Sequence, residues 1–475
     1  MTLSQTKPIL IIGAGISGLL LAQNLAQHGI SARVFERDMD LETRGLGWGL
    51  TLHWSLPALK SLLPEHLVQR LPEAYVDRLA VEGRLSSTFP FFDLSTGELK
   101  ASTPRAPEAD RIRVTRKGLR DILATGIHIE WDKALSGVCS TSDSVTATFE
   151  DGSSATGCLL IACDGAGSRV RRALFPDWQL YQIPVRMLGV KLALSCQQIK
   201  PIRDLDPFFL QGTHSKNDTF VYVSLLDSPG NHKDSPHPYV CQMCVSWPYR
   251  EGFFNSISPI ELPATDEERH SLVRGFAESW AEPFRSLAMG IPASAEWKGL
   301  KIQDLPPSRH LRTTGRAVLM GDAFHATAMY RGEGANHAIL DVQDLVDRIV
   351  PILEADGDFS TLRSALDEYE HAVASRARPG VLASRQACLD AHDWKSITSK
   401  SPLLTRRTPF VAFDEKVGLS ARVQRLSTKR TITVDMSTAT DRPFAGPPPL
   451  AARSNADQNV ALSKAAFGCM TECGT

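Results

Sequence analysis

The chain contains short, uninterrupted runs of apolar residues, each followed by a glycine-bearing loop or a polar residue. These runs cover residues 9–12, 32–35, 158–162 and 317–320. Uninterrupted apolar runs of this length are typical of strands that are buried on both faces of a parallel sheet. Between the first two runs, apolar residues recur at helical spacing up to Gly29, and they do so again between residues 338 and 349. The pattern predicts an α/β fold in which strands alternate with helices.

A different pattern occupies the middle of the chain, where strand-like runs lie between polar, proline-rich loops. The longer runs cover residues 187–194, 219–226 and 239–247. Shorter runs that also alternate like antiparallel strands cover residues 128–131, 138–139 and 145–149. Helical patterns cover residues 267–280, 361–377 and 381–394. The middle of the chain therefore predicts a largely antiparallel sheet, and the later part predicts helices.

Together these patterns predict a discontinuous Rossmann-like domain, interrupted by a sheet domain and followed by a small C-terminal helical cap. We expect residues 1–178 and 301–355 to form the Rossmann-like domain, and residues 179–300 to form the inserted, largely antiparallel β domain. Residues 356–435 are expected to form the helical region. Residues 436–475 are rich in Ser, Thr, Pro and Ala, a composition that predicts disorder.

The composition narrows the class of protein. The 475 residues carry a formal net charge of −1 and 43% of them are hydrophobic, so a large core is expected and nothing favours a nucleic-acid partner. We find no secretory signal pattern and no apolar run long enough for a membrane span. Nine cysteines in this length are not a disulfide framework, and Cys241 and Cys244 would face opposite sides of one strand. We therefore expect a cytoplasmic enzyme without a metal site.

The loop after the first apolar run carries a dinucleotide-binding fingerprint. Gly13, Gly15 and Gly18 form a GxGxxG between a predicted strand and helix, and Glu36 follows the second strand. In this setting Gly13 permits a tight turn, Gly15 lets a pyrophosphate approach the backbone, and Gly18 lets the helix pack on the strand. Glu36 would then bind the hydroxyls of an adenosine ribose. An ordinary glycine-rich turn would leave Glu36 unexplained.

Other residues near predicted strand ends could contact the same ligand. Backbone around Gly49 could run against a flat ring, and Arg116, at a strand-to-helix junction, could touch a phosphate or a ribityl chain. An arginine exposed to solvent at a helix start would explain Arg116 equally well. Asp164 follows the third apolar run, and Asp322 follows the fourth, where it could accept hydrogen bonds from a ligand hydroxyl. Gly334 lies where a helix would start and present unpaired N–H groups.

The motifs GAGISG, CDGAGS and GDAFHATAMYRGEGANHA occur in the order and spacing of the group A flavoprotein monooxygenases, which share the fold of para-hydroxybenzoate hydroxylase. The resemblance covers roughly residues 8–350, and the sequence around the motifs is similar to that of fungal secondary-metabolite members of the family. It implies FAD as the bound cofactor, with NAD(P)H as a transient co-substrate and O2 as the oxidant. It also implies FAD contacts for Glu36, Gly49, Arg116, Asp164, Asp322, Gly334, Ala335 and Asn336.

The chain departs from this resemblance in small ways. Met329 stands where the family usually has proline. We expect this substitution to affect the local geometry near the place where oxygen reacts, and not the binding of FAD. Cys163 stands where alanine is usual. The extra C-terminal thioredoxin-like domain of larger phenol hydroxylases has no counterpart, so we expect a monomer or a dimer.

The residues that contact the substrate have no local motif. Some fungal members of the resembled family hold a phenolate with an arginine and a tyrosine from the sheet domain, and Arg186 and Tyr222 are the corresponding candidates. Arg331, next to Gly332, is a second candidate for steering an anionic substrate. An ordinary structural role in the sheet is the alternative for Arg186 and Tyr222.

The resemblance implies an FAD-dependent monooxygenase that uses NAD(P)H and O2. It would insert one oxygen atom, by hydroxylation or epoxidation, into an aromatic or polyketide- or terpenoid-like small molecule in secondary metabolism. Two alternatives stay open. One is an FAD-dependent oxidoreductase or halogenase of the same fold, although the lysine and the WxWxIP motif of such halogenases do not occur in matching places. The other is a flavin-binding protein without catalytic activity.

Overall fold

The helices and strands are those of a computed structural model that describes residues 7–43, 45, 47–232, 238–310 and 312–415; the predicted tail at 436–475 lies outside the described residues. The α-helices are α1 (Ile16–Gln27), α2 (Leu56–Leu62), α3 (Glu65–Val68), α4 (Arg78–Glu82), α5 (Arg116–Ala124), α6 (Arg169–Leu174), α7 (Cys196–Arg203), α8 (Asp266–Ala277), α9 (Phe284–Met289), α10 (Asp322–His325), α11 (Gly334–Glu354) and α12 (Phe359–Ala391). The strands are β1 (Ile9–Ile12), β2 (Ala32–Phe35), β3 (Gly49–Leu52), β4 (Ser86–Ser87), β5 (Phe91–Asp93), β6 (Leu99–Ala101), β7 (Ala106–Pro107), β8 (Ile112–Thr115), β9 (Ile129–Glu130), β10 (Leu135–Ser140), β11 (Val145–Phe149), β12 (Ser154–Gly157), β13 (Leu159–Ala162), β14 (Tyr181–Leu194), β15 (Phe209–Thr213), β16 (Phe220–Asp227), β17 (Tyr239–Pro248), β18 (Trp297–Asp304) and β19 (Ala317–Leu319).

A five-stranded parallel sheet with the order β19-β13-β1-β2-β9 forms the Rossmann-like part. Every residue of β1 and β13 is buried, as their uninterrupted apolar runs predict. Residues of α1 and α11 belong to the same buried cluster as these strands. Since parallel strands end on the same side of a sheet, the loops after β1, β13 and β19 leave from one edge. The predicted α/β fold class is confirmed.

The short strand β9 pairs with a different partner from the one that the sequence predicts. Residues 128–131 alternate like an antiparallel strand, but β9 runs parallel to β2 at the edge of the five-stranded sheet. The other two short runs do pair in an antiparallel sheet of order β10-β11-β12. The predicted pairing of residues 128–131 is wrong because a strand of two residues is too short for its periodicity to identify a partner.

A second large sheet has seven strands in the order β18-β14-β17-β16-β15-β5-β6. Its neighbouring strands run antiparallel, except for the parallel pair of β15 and β5. Strands β5 and β6 precede the predicted insertion at residues 179–300, and β18 extends beyond it to Asp304. That segment therefore supplies most strands of the sheet but not all of them.

The two faces of the seven-stranded sheet have different surroundings. On one face, helices α8 and α9 bury Trp247 in a shared apolar cluster. On the other, Met187 packs with Tyr330, which follows α10, and with residues of α12. Cys241 belongs to the first cluster and Cys244 to the second, so their side chains face opposite sides, as their spacing predicts.

Helix α12 is one continuous helix, whereas the sequence predicts two, at residues 361–377 and 381–394. The predicted break at Pro379 is wrong. Proline inside a helix removes a backbone donor and costs about 3 kcal/mol or more, but α12 buries side chains on both sides of it, including Val373 and Val381. Tertiary packing of this kind outweighs the local preference. No helix in the described ranges is long and apolar enough to cross a membrane.

Candidate cofactor and active site

The glycines of the GxGxxG loop have different neighbours. Gly13 has a φ of +108°, and a β-carbon there would lie 2.5 Å from the carbonyl oxygen of Cys163, so only glycine fits. A β-carbon at Gly18 would overlap the carbonyl oxygen of Gly13. At Gly15 the nearest atom would be Nη2 of Arg116, 4.0 Å away. The fold itself requires Gly13 and Gly18, whereas Gly15 leaves open space on the side where Arg116 lies.

The carboxylate of Glu36 is hydrogen-bonded to this loop. Its Oε2 accepts a hydrogen bond of 2.8 Å from the backbone N–H of Ala14, and its Oε1 accepts one of 3.2 Å from Asp38. Nη2 of Arg120 lies 3.6 Å from Oε2, and Nε of Arg120 donates to the carbonyl oxygen of Ala14 at 2.7 Å. A carboxylate can accept about four hydrogen bonds, so Glu36 keeps acceptor capacity for ribose hydroxyls. Its predicted contact with the ribose stays a prediction.

Gly49 begins β3, which pairs antiparallel with β8. Arg116 follows β8 directly and begins α5. A β-carbon at Gly49 would overlap the guanidinium of buried Arg113, which explains this glycine by packing within the protein. The backbone N–H of Arg116 donates to the carbonyl oxygen of Trp48 at 3.1 Å, which ties α5 to the segment before β3. The structure thus brings the Arg116 guanidinium beside Gly15, at the edge where the three loops meet.

Asp164 lies in the loop after β13 and accepts hydrogen bonds from the first turn of α6, which begins at Arg169. Its Oδ2 accepts hydrogen bonds from the backbone N–H groups of Arg169 at 2.7 Å and Val170 at 3.3 Å. Its Oδ1 is buried and has no hydrogen-bond partner in the described part of the chain. Burial raises the pKa of Asp164, and the nearby Ser168 hydroxyl partly offsets this rise. The Ser168 hydroxyl is not placed to donate a hydrogen bond to Oδ1. A buried acceptor without a partner is unusual and indicates a missing donor from a ligand or water.

Asp322 begins α10 in the loop after β19. Its side chain is accessible to solvent, and the protein atoms packed around it raise the pKa of the carboxyl group through desolvation. The carboxylate accepts no hydrogen bond from any residue that the structure describes. Oδ1 lies 4.0 Å from the position of a β-carbon at Gly334, so Asp322 is close to the start of α11.

The start of α11 is held in place by Asn336. Its Oδ1 accepts hydrogen bonds from the backbone N–H of His53 at 3.0 Å and the Ser55 hydroxyl at 2.8 Å. Its amide nitrogen donates to the carbonyl oxygen of Thr51 at 2.9 Å. No side chain caps this helix, so N–H groups around Gly334 and Ala335 are left for solvent or a ligand. Asn336 positions the helix end and does not itself have a free acceptor oxygen.

The three loops together fit a bound dinucleotide. They offer open space at Gly15, a cation beside it, an orphaned acceptor at Asp164 and an accessible carboxylate at Asp322. Carboxylates accept hydrogen bonds from ribose and ribityl hydroxyls, and uncapped helix ends donate to anionic groups. FAD carries all of these groups.

The structure does not bring Arg186 and Tyr222 together. Arg186 pairs with Trp247 across the sheet, so it faces α8 and α9, where its guanidinium forms an ion pair with Glu261 and lies 3.6 Å from the ring centre of Tyr249. Tyr222 pairs with Cys244 on the opposite face, the one turned toward Tyr330. Arg186 therefore has protein partners on the face away from the three loops. The substrate contact that the sequence suggests for Tyr222 stays a prediction.

One buried network was not predicted from the sequence. Asp341 of α11 accepts from Nε2 of His325 at 2.5 Å and from the backbone N–H of Gly321 at 2.9 Å, and its other oxygen accepts from Nη2 of Arg376 at 2.7 Å. The network links α10, α11 and α12, and it holds the backbone of Gly321, the residue before Asp322. A signal for it exists, because Asp341 interrupts the apolar face of the helical pattern between residues 338 and 349.

Comparisons with known proteins agree with this site. Residues 6–217 match the family described as FAD binding domain. The protein named "Probable FAD-dependent monooxygenase" from Arthroderma benhamiae is 43% identical over 423 residues, which are 86% of this chain and 97% of that protein. The FAD-dependent monooxygenase dbaB from Emericella nidulans is 38% identical over 356 residues, 73% of this chain and 88% of that protein.

A solved structure shows the same fold. The structure of 2,6-dihydroxypyridine-3-hydroxylase from Arthrobacter nicotinovorans superposes with a TM-score of 0.67 at 20% identity, covering 87% of this chain and 99% of that chain. Fold and site together define a flavoprotein oxidoreductase with the fold of para-hydroxybenzoate hydroxylase. The sequence relationships make the family definite: the chain belongs to the FAD-dependent monooxygenases, and its cofactor is FAD.

Proposed function

We propose that the protein uses NAD(P)H and O2 to insert one oxygen atom, by hydroxylation or epoxidation, into an aromatic or polyketide- or terpenoid-like small molecule. One observation carries the proposal: Asp322 presents an accessible carboxylate without a protein partner beside the uncapped start of α11. An accessible carboxylate at the end of a parallel strand, beside an uncapped helix start, is placed to accept hydrogen bonds from ligand hydroxyls. The fungal relatives named FAD-dependent monooxygenases support the reaction class and favour a role in secondary metabolism.

In this proposal, residues of the three loops divide the binding of FAD between them. Glu36 binds the adenosine ribose, Arg116 and the backbone at Gly15 contact the pyrophosphate, and Asp322 accepts hydrogen bonds from the ribityl chain. Asp164 serves the same cofactor through its free Oδ1. When bound, FAD would supply the redox chemistry that couples oxidation of NAD(P)H to reduction of O2.

The protein contributes position and electrostatics to this chemistry. The partial positive charge at the start of α11, around Gly334 and Ala335, would stabilise negative charge on a ring placed beside it. Asn336 fixes that helix end against β3, so the donors need no rearrangement. We propose that residues 1–178 and 301–355 bind FAD and that residues 179–300 supply most of the substrate surface, with Tyr222 on the face that the substrate contacts.

The first test is an absorption spectrum of the purified protein before and after addition of FAD, followed by NADPH or NADH under air. We expect a bound-flavin spectrum that bleaches with the reduced nicotinamide and recovers while O2 is consumed. A protein that stays colourless with added FAD would contradict cofactor binding. A protein that binds FAD but oxidises neither nicotinamide with any aromatic or polyketide-like compound would favour a flavin-binding protein without activity.

Replacing Asp322 with asparagine is expected to change cofactor-free stability and FAD affinity in opposite directions. A carboxyl group whose pKa is raised in the folded state binds its proton more tightly when folded, so the free energy of unfolding falls as the pH rises through the carboxyl range. Asparagine removes this desolvated charge, so the cofactor-free variant should melt higher than wild type, by more at about pH 8 than at about pH 5. Losing a charged acceptor should weaken FAD binding roughly tenfold or more.

Thermal unfolding without FAD and a fluorescence titration with FAD measure the two effects. Asp143→Asn is the matched control, since Asp143 is exposed in the turn between β10 and β11, outside the three strand-end loops, and neither quantity should change. Wild-type FAD affinity in Asp322→Asn would remove Asp322 from the cofactor site.

A further inference from the structure

The segment 401–408 lies against the loop between α10 and α11 and is fastened there by Arg331. Nε and Nη2 of Arg331 donate to Glu333 at 2.7 and 3.3 Å. Its remaining N–H groups donate to the carbonyl oxygen of Pro402, to Thr405 Oγ1 at 3.1 Å and to the carbonyl oxygen of Arg406 at 3.1 Å. All five donors of the guanidinium are used. Arg331 therefore holds this segment in place and has no donor left for the anionic substrate that the sequence suggests for it.

The segment brings a second arginine, Arg407, into the protein. Nη1 and Nη2 of Arg407 donate to the carbonyl oxygens of Thr405 at 2.9 Å and Leu403 at 3.0 Å, and its guanidinium lies 5.0 Å from the ring centre of Phe89. Among the described residues, no carboxylate forms an ion pair with it; nearby Glu333 is already paired with Arg331. Burial, with the neighbouring Arg331, lowers the pKa of Arg407 to about 9. Arg407 is partly exposed although protein atoms surround it densely, and a cation that loses much of its solvation without gaining an anion is unfavourable.

Arg407 lies where the sheet meets the start of α11. The Phe89 ring packs edge-on against the ring of Tyr222, with ring centres 6.3 Å apart, and Tyr222 contacts the cluster that contains Tyr330. His53, whose backbone is bonded to Asn336 at the start of α11, is close enough that Arg407 contributes to lowering its pKa to about 3, after burial itself. His53 therefore stays neutral and supplies no charge that could offset Arg407.

We propose that Arg407 is the specificity-determining residue that binds the substrate as an oxyanion, a phenolate or an enolate. The proposal rests on the proposed monooxygenase function and names the class of substrate: an acidic hydroxyaromatic or enolic compound. Three N–H groups of Arg407 make no hydrogen bond to any residue in the described ranges, and the adjoining Tyr222 and Phe89 offer an aromatic surface for a flat ring. Binding as the anion also raises the electron density of the ring that is to receive oxygen. Arg407 takes the anion-binding role that the sequence suggests for Arg186 and Arg331.

The test uses 4-nitrophenol, whose absorption distinguishes phenol from phenolate, and 4-nitroanisole, its methyl ether, which cannot ionise. Difference spectra of the FAD-loaded protein without a nicotinamide measure binding alone. We expect wild type to bind 4-nitrophenol as the phenolate and at least tenfold more tightly than 4-nitroanisole. Arg407→Gln should lose this preference and bind both compounds alike, with the nitrophenol protonated, while Arg407→Lys should keep the phenolate band.

Arg406→Gln is the matched control, because it removes the same charge from the neighbouring exposed side chain and should bind the phenolate as wild type does. Equal affinities of wild type for the two compounds, or phenolate binding by Arg407→Gln at the level of Arg406→Gln, would overturn the proposal. Failure of NAD(P)H oxidation would contradict the proposed function without changing these binding results, so the two failures are distinguishable.

Discussion

Gly18→Ala is expected to prevent stable folding of the FAD-binding part, whereas Gly15→Ala is expected to leave the fold intact and weaken FAD binding. A β-carbon at Gly18 would overlap the backbone carbonyl oxygen of Gly13, which cannot move because Gly13 itself is pressed against Cys163. Overpacking costs typically about 1–3 kcal/mol when side chains can adjust, and here the obstacle is backbone. We therefore expect a loss of more than about 3 kcal/mol in the free energy of unfolding.

Gly15 differs because the protein leaves space for a methyl group there. Its φ of −84° and ψ of −170° are allowed for alanine, and the nearest atom would lie 4.0 Å away. The methyl group would instead occupy the approach to the backbone that a pyrophosphate needs. We expect unchanged unfolding without FAD and at least tenfold weaker FAD binding, which corresponds to about 1.4 kcal/mol.

Urea denaturation of the cofactor-free proteins and FAD titrations separate the two outcomes. The two variants are controls for each other, because they introduce the same methyl group three residues apart in the GxGxxG motif. If Gly15→Ala were as unstable as Gly18→Ala, the space at Gly15 would not exist. If it bound FAD as wild type does, the pyrophosphate would not approach there.

Part of the fold and of the cofactor site follows from local sequence. Strands β1 and β13 are buried on both faces, so their apolar runs are uninterrupted and mark them clearly. Backbone constraints at Gly13 and Gly18 are equally local, since only glycine satisfies them. Residues of this kind predict the α/β class and the loops where a dinucleotide fits.

The substrate side cannot be predicted in the same way. Two successive apolar residues, Met187 and Leu188, follow Arg186, so the alternation of polar and apolar residues breaks there and the sequence does not tell which face Arg186 occupies. Its pairing with Trp247 and the position of α8 decide that face, and both depend on distant parts of the chain. Arg407 carries no motif and reaches Phe89 only because Arg331 fastens its segment.

Asp341→Asn is expected to destabilise the protein by about 3–5 kcal/mol, the usual result of removing one partner from a buried ion pair. The Asp341 carboxylate faces donors on both oxygens, from His325 and Gly321 on one and from Arg376 on the other. An asparagine amide would turn its own N–H groups toward one of these donors. Asp344→Asn is the control, since Asp344 also pairs with Arg376 but is partly exposed, and it should cost less than about 1 kcal/mol.

The effect of Asp341→Asn should also depend on pH in a defined direction. Burial alone would raise the pKa of Asp341, but His325 and Arg376 beside it hold the pKa well below its usual range. A carboxylate with a lowered pKa stabilises the fold above the unfolded carboxyl range and loses this contribution as the pH falls toward the folded pKa. In urea denaturation, the difference between wild type and Asp341→Asn should therefore be largest near neutral pH and shrink below about pH 4. A difference that grew in acid would contradict a charged Asp341. Because Asp341 also holds the backbone N–H of Gly321, the residue before Asp322, the variant should lose FAD affinity together with stability, whereas Asp344→Asn should keep both.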